Sequence, residues 1–345
     1  MIDRIQNKIE RFLRTGEGEF NELALELFAY QFEHVGPYQT FCQAQRVMPG
    51  QVRTWREIPA LPIDAFKRAD LSTGLPTQAA AVFHSSTTTT GQPSRHFLRE
   101  LRFYEQSVRA QFSKWVISDN AKMPFLILTP SPAEAPRSSL AWMMDVVKRQ
   151  WGAPGSQYFV RHGRLDELWL VTMLSKVQSL GEPVVLLGTT LAFLTLLDWC
   201  SMSNRSFRLP AGSRLMDTGG MKGRNVQITR PAFVRRVEEM LGIAPDQCIN
   251  EYGMCEMSSQ FYGRGAKSHL EGPAWTRTLI INPDTGEEVP TGQPGLLRHF
   301  DLANVDSVMA IQTDDQGQAE SSGFEFLGRS ATASLKGCSL EMERT

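Results

Sequence analysis

From residue 79 to about residue 260, short apolar runs alternate with stretches of helical spacing, and this alternation restricts the fold more than any other feature. Phe125 to Thr129 and Val184 to Gly188 are continuous apolar runs, the pattern of strands covered on both faces. Arg214 to Asp217 is a third candidate strand. Between them, Ser138 is placed to cap a helix through Trp151 that Gly152 stops, and an apolar helix spans Leu191 to Cys200. Arg230-Pro231 opens another helix, and Gly242 closes it. Strands and helices in this order predict an α/β core built on a mainly parallel sheet.

The flanks read differently. Residues 1–78 form a helical and then irregular wrapping segment, with a helix from Phe20 to Tyr30 that Asn21 is available to cap. Prolines at 37, 49, 59, 62 and 76 keep the rest of that segment from forming long elements. The α/β core covers 79–270. Residues 271–327 read as a smaller β-rich subdomain, with strands at Thr276 to Asn282, Gly295 to Phe300 and Val308 to Thr313. Residues 328–345 read as a hinge-like C-terminal segment.

Composition excludes several function classes. A net charge of −1 argues against a nucleic-acid binder driven by electrostatics. The charged start Met1-Ile2-Asp3-Arg4 is not a secretory signal, and no run approaches the length of a membrane span. Five cysteines, odd in number and never in a C-x-x-C pair, suit a reducing cytoplasm and disfavour a structural zinc site. The six histidines show no H-E-x-x-H spacing.

The chemistry gathers in four segments. Ser85-Ser86-Thr87-Thr88-Thr89-Thr90-Gly91-Gln92-Pro93 sits between an apolar stretch ending at Phe83 and a stretch from Phe97 to Trp115 with mostly helical spacing. A strand, a hydroxyl-rich loop and a helix N-terminus would cradle a polyphosphate. Asp217-Thr218-Gly219-Gly220-Met221-Lys222-Gly223 follows a strand, and its glycines let backbone approach a flat ligand. Glu251-Tyr252-Gly253-Met254-Cys255-Glu256 offers an aromatic ring for a purine and a carboxylate for Mg²⁺ beside phosphates. Thr313-Asp314-Asp315, followed by Gly328-Arg329, offers a carboxylate for ribose and an arginine for phosphate or ribose. Alone, each segment also reads as a polar loop, a core aromatic or a solvated charge.

In order and spacing, these motifs resemble the series of the adenylate-forming superfamily of acyl-CoA synthetases, firefly-type luciferases and adenylation domains. Within it the chain is most similar to the acyl-protein synthetases of bacterial luciferase operons, the LuxE type. The likeness runs nearly end to end. It takes in Tyr30-Gln31-Phe32-Glu33 with Pro37-Tyr38, Ile58-Pro59-Ala60-Leu61-Pro62 with Phe66-Lys67, the threonine loop with Ser94-Arg95-His96, and Ser138-Ser139-Leu140. It continues through the glycine and Tyr-Gly segments to Lys336-Gly337-Cys338-Ser339-Leu340, the most discriminating piece.

The resemblance implies a large α/β domain with a smaller β-rich subdomain, the C-terminal lid domain of most relatives being missing or minimal. It also implies ATP- and Mg²⁺-dependent activation of a carboxylic, fatty acid as an acyl-adenylate. The acyl group then passes to Cys338, and onward to a reductase-type or acyl-carrier partner. By the same resemblance Ser86 to Thr90 and Gly91 hold pyrophosphate, and Glu256 positions Mg²⁺. Asp314 takes the ribose and Arg329 the nucleotide, while Tyr252, Gly253, Gly219 and Gly220 take the adenine. An apolar slot among Trp142, Met143, Met144, Leu191, Phe193 and Leu194 would take the acyl chain.

The chain departs from the pattern at Thr88, where glycine is common, and at Thr313-Asp314, which lacks an intervening glycine. The superfamily's loop lysine falls at Ser94, which leaves Arg95 or His96 as nearby charge and Lys336 or Lys222 as candidates for the adenylation lysine. Two rival readings stay open. One is an aryl- or acyl-CoA ligase of the phenylacetate-CoA ligase kind, and the other is a nucleotide- or acyl-binding module without turnover. A P-loop phosphotransferase is disfavoured, because no G-x-x-x-x-G-K-[ST] occurs.

Overall fold

The computed structural model describes residues 2–85, 92–219 and 228–329. Its centre is a six-stranded sheet in the order Phe261–Arg264, Cys248–Tyr252, Arg214–Thr218, Val185–Thr189, Phe125–Leu128, Gln157–Tyr158. Every neighbouring pair is parallel except the first, where Phe261–Arg264 runs back against Cys248–Tyr252. The mainly parallel α/β core expected from the alternating runs is therefore present.

Period two along these strands divides the core. Phe125, Ile127, Val185 and Leu187 pack on one face against helices Arg102–Trp115 and Ser139–Trp151. Leu126, Leu128, Leu186 and Leu215 pack on the other against Glu167–Leu180, Thr190–Met202 and Arg230–Leu241. Each large apolar side chain removed from water in this way contributes roughly 1.5–3 kcal/mol. The helix ends obey local rules. Ser138 accepts from the Ala141 amide at 3.1 Å, and Gly242 takes the left-handed φ of +69° that ends Arg230–Leu241.

A second, mostly antiparallel sheet runs His269–Leu270, Phe324–Arg329, Ala310–Ala319, Pro294–Asp301, Thr276–Ile281. The short strand Leu61–Pro62 adds to it in parallel beside Ile311 and Gln312. Helices Ile2–Thr15, Phe20–His34 and Gly36–Ala44 pack on this sheet, so the first part of the chain shares one hydrophobic cluster with its last strands.

Three expectations need correction. The stretch from Phe97 to Trp115 is not one helix: Arg95–Leu98 is a strand paired antiparallel with Ala81–His84, and the helix starts only at Arg102. The hydroxyl-rich loop therefore joins two strands of a hairpin, and no helix N-terminus follows it directly. Asn21 lies inside its helix and does not cap it; its side chain accepts from the Trp55 amide at 2.8 Å and donates to Arg53 O at 3.2 Å. Met143 and Met144 belong to one face of the parallel sheet, whereas Phe193 and Leu194 belong to the other. They cannot line a single acyl slot.

Candidate active site

Polar residues collect where the parallel strands end. The chain's progress across the sheet reverses between Phe125–Leu128 and its neighbour Val185–Thr189, and the crevice beyond the carboxyl ends at such a point is where open α/β sheets receive ligands. Thr189, Thr218 and Tyr252 finish successive strands on one side of this point.

Asp217, 1% exposed, organises the base of the glycine segment. Arg230 pairs with its Oδ1 at 2.5 Å, and Thr190 Oγ1 and Asn250 Nδ2 donate to its Oδ2 at 3.0 and 3.1 Å. Thr190 Oγ1 also lies 2.8 Å from the carbonyl oxygen of Gly219. Gly219 has a φ of +75°, and an added Cβ there would meet nothing within 4 Å. Conformation, not internal space, demands that glycine.

One residue further along the same pair of strands, the buried Glu251 accepts a hydrogen bond from the Thr218 hydroxyl. Burial pushes its carboxyl up to about 7; the Thr218 bond opposes the shift and the charge of Asp217 adds to it. A Cβ at Gly253 would stand 2.6 Å from Glu251 Oε1, so a larger residue there would push the Glu251 carboxyl aside.

Tyr252 turns towards the second sheet. Its ring packs against Phe261, His299, Phe324 and Phe326, with centroids 5.3–5.9 Å away. Its hydroxyl donates to Asp315 Oδ2 at 2.9 Å, and Arg329 Nε pairs with Asp315 Oδ1 at 3.2 Å. His299 Nε2 lies 3.3 Å from the same hydroxyl, and His299 Nδ1 lies 2.9 Å from Thr278 Oγ1. Because the Tyr252 proton goes to Asp315, the Nε2–H tautomer of His299 completes the chain Thr278 → His299 → Tyr252 → Asp315.

A bulge sets this geometry. Leu296 pairs with Gln316 and Arg298 with Gln312, so Thr313, Asp314 and Asp315 all face Leu297 alone. Thr313 Oγ1 donates to Leu297 O at 2.7 Å and accepts from the Asp315 amide at 3.1 Å. Asp315 is thereby aimed at Tyr252 and sits directly across from Arg329 in the ladder. Asp314 is half-buried in a different environment: burial raises its pKa first, then the charge of Asp64, with Arg329 and Lys67 opposing.

Of the predicted site residues, Tyr252 and Arg329 come together, both bonded to Asp315. Glu256 is 4% exposed and its backbone oxygen accepts from Asn304 Nδ2 at 2.9 Å; burial first, then Asp315, and last the charge of Glu256 raise the Tyr252 phenol. Asp314 is not the carboxylate that meets Tyr252 and Arg329. Asp315 is. His96 does not supply positive charge: it is fully buried, burial pushes its pKa down to about 4, and it donates through Nδ1 to Cys255 O at 2.8 Å. Arg95 is an ion-pair partner of Asp70 at 2.9 Å. Ser86, Thr87, Thr88, Thr89, Thr90, Gly91, Gly220, Lys222, Lys336 and Cys338 lie outside the described residues. Sequence reading also passed over His299, Arg230 and the role of Asp217; only their adjacency to the Tyr-Gly and glycine segments in space marks them.

Among the described residues no group of three His, Cys, Asp or Glu side chains is placed to hold a metal ion. Mg²⁺ beside phosphates needs only one or two protein carboxylates, a number that the single carboxylate of Glu256 would meet. No helix among the described residues is long and apolar enough to cross a membrane.

This two-sheet architecture defines the chain as having the fold of adenylate-forming ligases. A 2-hydroxyisobutyryl-CoA ligase solved with 2-HIB-AMP and CoA superposes with a TM-score of 0.66 over 92% of this chain and 70% of its own, at 15% identity. ATP-bound MatB from Rhodopseudomonas palustris gives 0.54 over 74% of this chain, at 15% identity. The chain spans about half of MatB, 49% of its length. Residues 15–345 match the family described as acyl-protein synthetase, LuxE, and the chain belongs to that family. Two relatives named long-chain-fatty-acid–luciferin-component ligase are 22% identical over 92% of this chain and 85% of theirs (Vibrio harveyi) and 21% identical over 93% and 87% (Aliivibrio fischeri).

Proposed function

We propose that this protein is an ATP-dependent acid–thiol ligase that activates a fatty acid as its acyl-adenylate and passes the acyl group to a protein thiol. The observation that carries this reading is the meeting of Tyr252, Asp315 and Arg329, which come from separate motifs onto one spot beside the sheet edge. Each Asp315 oxygen keeps a free lone pair after accepting from Tyr252 or Arg329, so the carboxylate can take the two ribose hydroxyls. Arg329 is far more exposed than its partner and so is the group of the pair that a nucleotide could reach. Glu256 is the candidate to hold Mg²⁺, which would neutralise phosphate charge as a carboxylate approaches.

In the first step a carboxylate oxygen of the fatty acid bonds to the α-phosphorus of ATP, and the bond from that phosphorus to the bridging oxygen of pyrophosphate breaks. In the second a thiolate attacks the acyl carbonyl, and AMP leaves with the electrons of the acyl–oxygen bond. Cys338 is the acceptor that fits. The four described cysteines, Cys42, Cys200, Cys248 and Cys255, are all buried, and burial raises the thiols of the first three to about 12, about 11 and about 12. A reductase-type or acyl-carrier protein would then take the acyl group from Cys338. Incubation with labelled fatty acid and ATP tests the acceptor: labelling of the wild type and none of Cys338→Ala supports this reading, whereas acyl-CoA formation without protein labelling favours the CoA-ligase alternative.

A further inference from the structure

The stem of the hydroxyl-rich hairpin carries positive charge that the reading above leaves unused. His84 and Arg95 face each other across the antiparallel pair. The Ser85 amide donates to Ser94 O at 3.2 Å, and the Ser94 amide donates to Ser85 Oγ at 3.0 Å. Ser94 itself is 1% exposed, so its position offers neither charge nor access to an anion.

Charge arrives from another element. The His84 amide donates to Arg137 O at 2.8 Å, which staples residues 135–138 to the strand leading into the hairpin. His84, Ala135, Pro136, Arg137 and Ser138 line one cavity of about 310 Å³. Arg95 is partly neutralised by Asp70, whereas Arg137 has no carboxylate partner among the described residues. After burial, it is the charges of Arg137 and Arg95 that hold the His84 pKa below its ordinary value. A guanidinium with no counter-ion among the described residues, set in a cavity wall with His84, whose cross-strand partner is Arg95, marks a place short of negative charge.

We propose that Arg137, assisted by Arg95, binds the terminal phosphates of ATP in this cavity and, after adenylation, the pyrophosphate. The proposal rests on the adenylation reading and adds to it a residue outside the threonine loop that supplies the charge Ser94 lacks. Arginine suits the task because its planar fork meets phosphate oxygens in pairs.

Titration calorimetry with inorganic pyrophosphate and, separately, AMP tests it on the full chain in the presence of Mg²⁺. Arg137→Ala is expected to weaken pyrophosphate at least tenfold and leave AMP unchanged, and Arg137→Lys is expected to recover part of the loss. The exposed side chain makes unfolding of the variant unexpected, and a melting curve confirms it. Wild-type pyrophosphate affinity in Arg137→Ala, or no pyrophosphate binding by the wild type, overturns the proposal. The parent reading is judged separately by carboxylate-dependent exchange of pyrophosphate into ATP. No exchange, with pyrophosphate binding still dependent on Arg137, would remove adenylation and keep the anion site; normal exchange in Arg137→Ala, with unchanged pyrophosphate binding, would do the reverse.

Discussion

Tyr252 donates its hydroxyl proton to Asp315 at 2.9 Å, and this bond ties the carboxyl edge of the parallel sheet to the bulged strand of the antiparallel one. Both groups are buried, so neither finds water when the other is removed. Tyr252→Phe is expected to destabilise the fold by about 1–3 kcal/mol, the penalty for a buried acceptor that loses its donor. Urea unfolding measures this. The same variant should weaken AMP binding, because Asp315 is then oriented by Arg329 alone.

Glu251 gives the protein a pH dependence of one sign. Its folded pKa of about 7 lies above the unfolded value of 4.5, so the native state holds the proton more tightly. The stability that this proton confers is full below pH 4.5 and is lost as pH rises towards 7, at up to about 1.4 kcal/mol per pH unit. Glu251→Gln keeps an acceptor for Thr218 and removes the titration. Against the wild type it should gain relative stability between pH 5 and 8 by unfolding measurements; parallel curves for the two proteins would contradict this.

Histidines 96 and 299 work in the opposite direction. Burial lowers them to about 4 and about 3, below the unfolded value of 6.5, so the unfolded chain takes up protons first. Their contribution is present above pH 6.5 and is lost as pH falls through 6.5 towards the folded values. His299→Gln should reduce the loss of stability between pH 6.5 and 4, read from melting temperatures across that range.

Arg230 and Asp217 form an ion pair with both side chains under 10% exposed. Arg230→Met leaves Asp217 with Thr190 and Asn250 as its remaining donors, and should cost about 3–5 kcal/mol. Adding Asp217→Leu removes the stranded charge, so the double variant should be less destabilised than the sum of the two single ones. Additive losses would mean that the pair is not coupled.

The parts of the fold that could be read from sequence are those fixed by local chemistry. The strands at Phe125 and Val185 announce themselves because both faces are apolar, and Ser138 and Gly242 mark helix ends through a cap and a positive φ. What stayed hidden depends on partners distant in the chain. Arg95–Leu98 has mixed spacing that a helix could share, and only its pairing with Ala81–His84 makes it a strand. Asp314 and Asp315 are equivalent in sequence; the bulge opposite Leu297 decides which one meets Tyr252. The neutral state of His96 follows from a burial that no neighbouring residue signals.

The central claim is that Asp315, held by Tyr252 and Arg329, grips the nucleotide during acyl activation. Fatty-acid-dependent exchange of labelled pyrophosphate into ATP, compared between Asp315→Ala and Asp314→Ala, tests it most directly. The account predicts exchange by the wild type, a loss of at least a hundredfold in Asp315→Ala, and near-normal exchange in Asp314→Ala. Absence of exchange in the wild type, or a loss confined to Asp314→Ala, would contradict it.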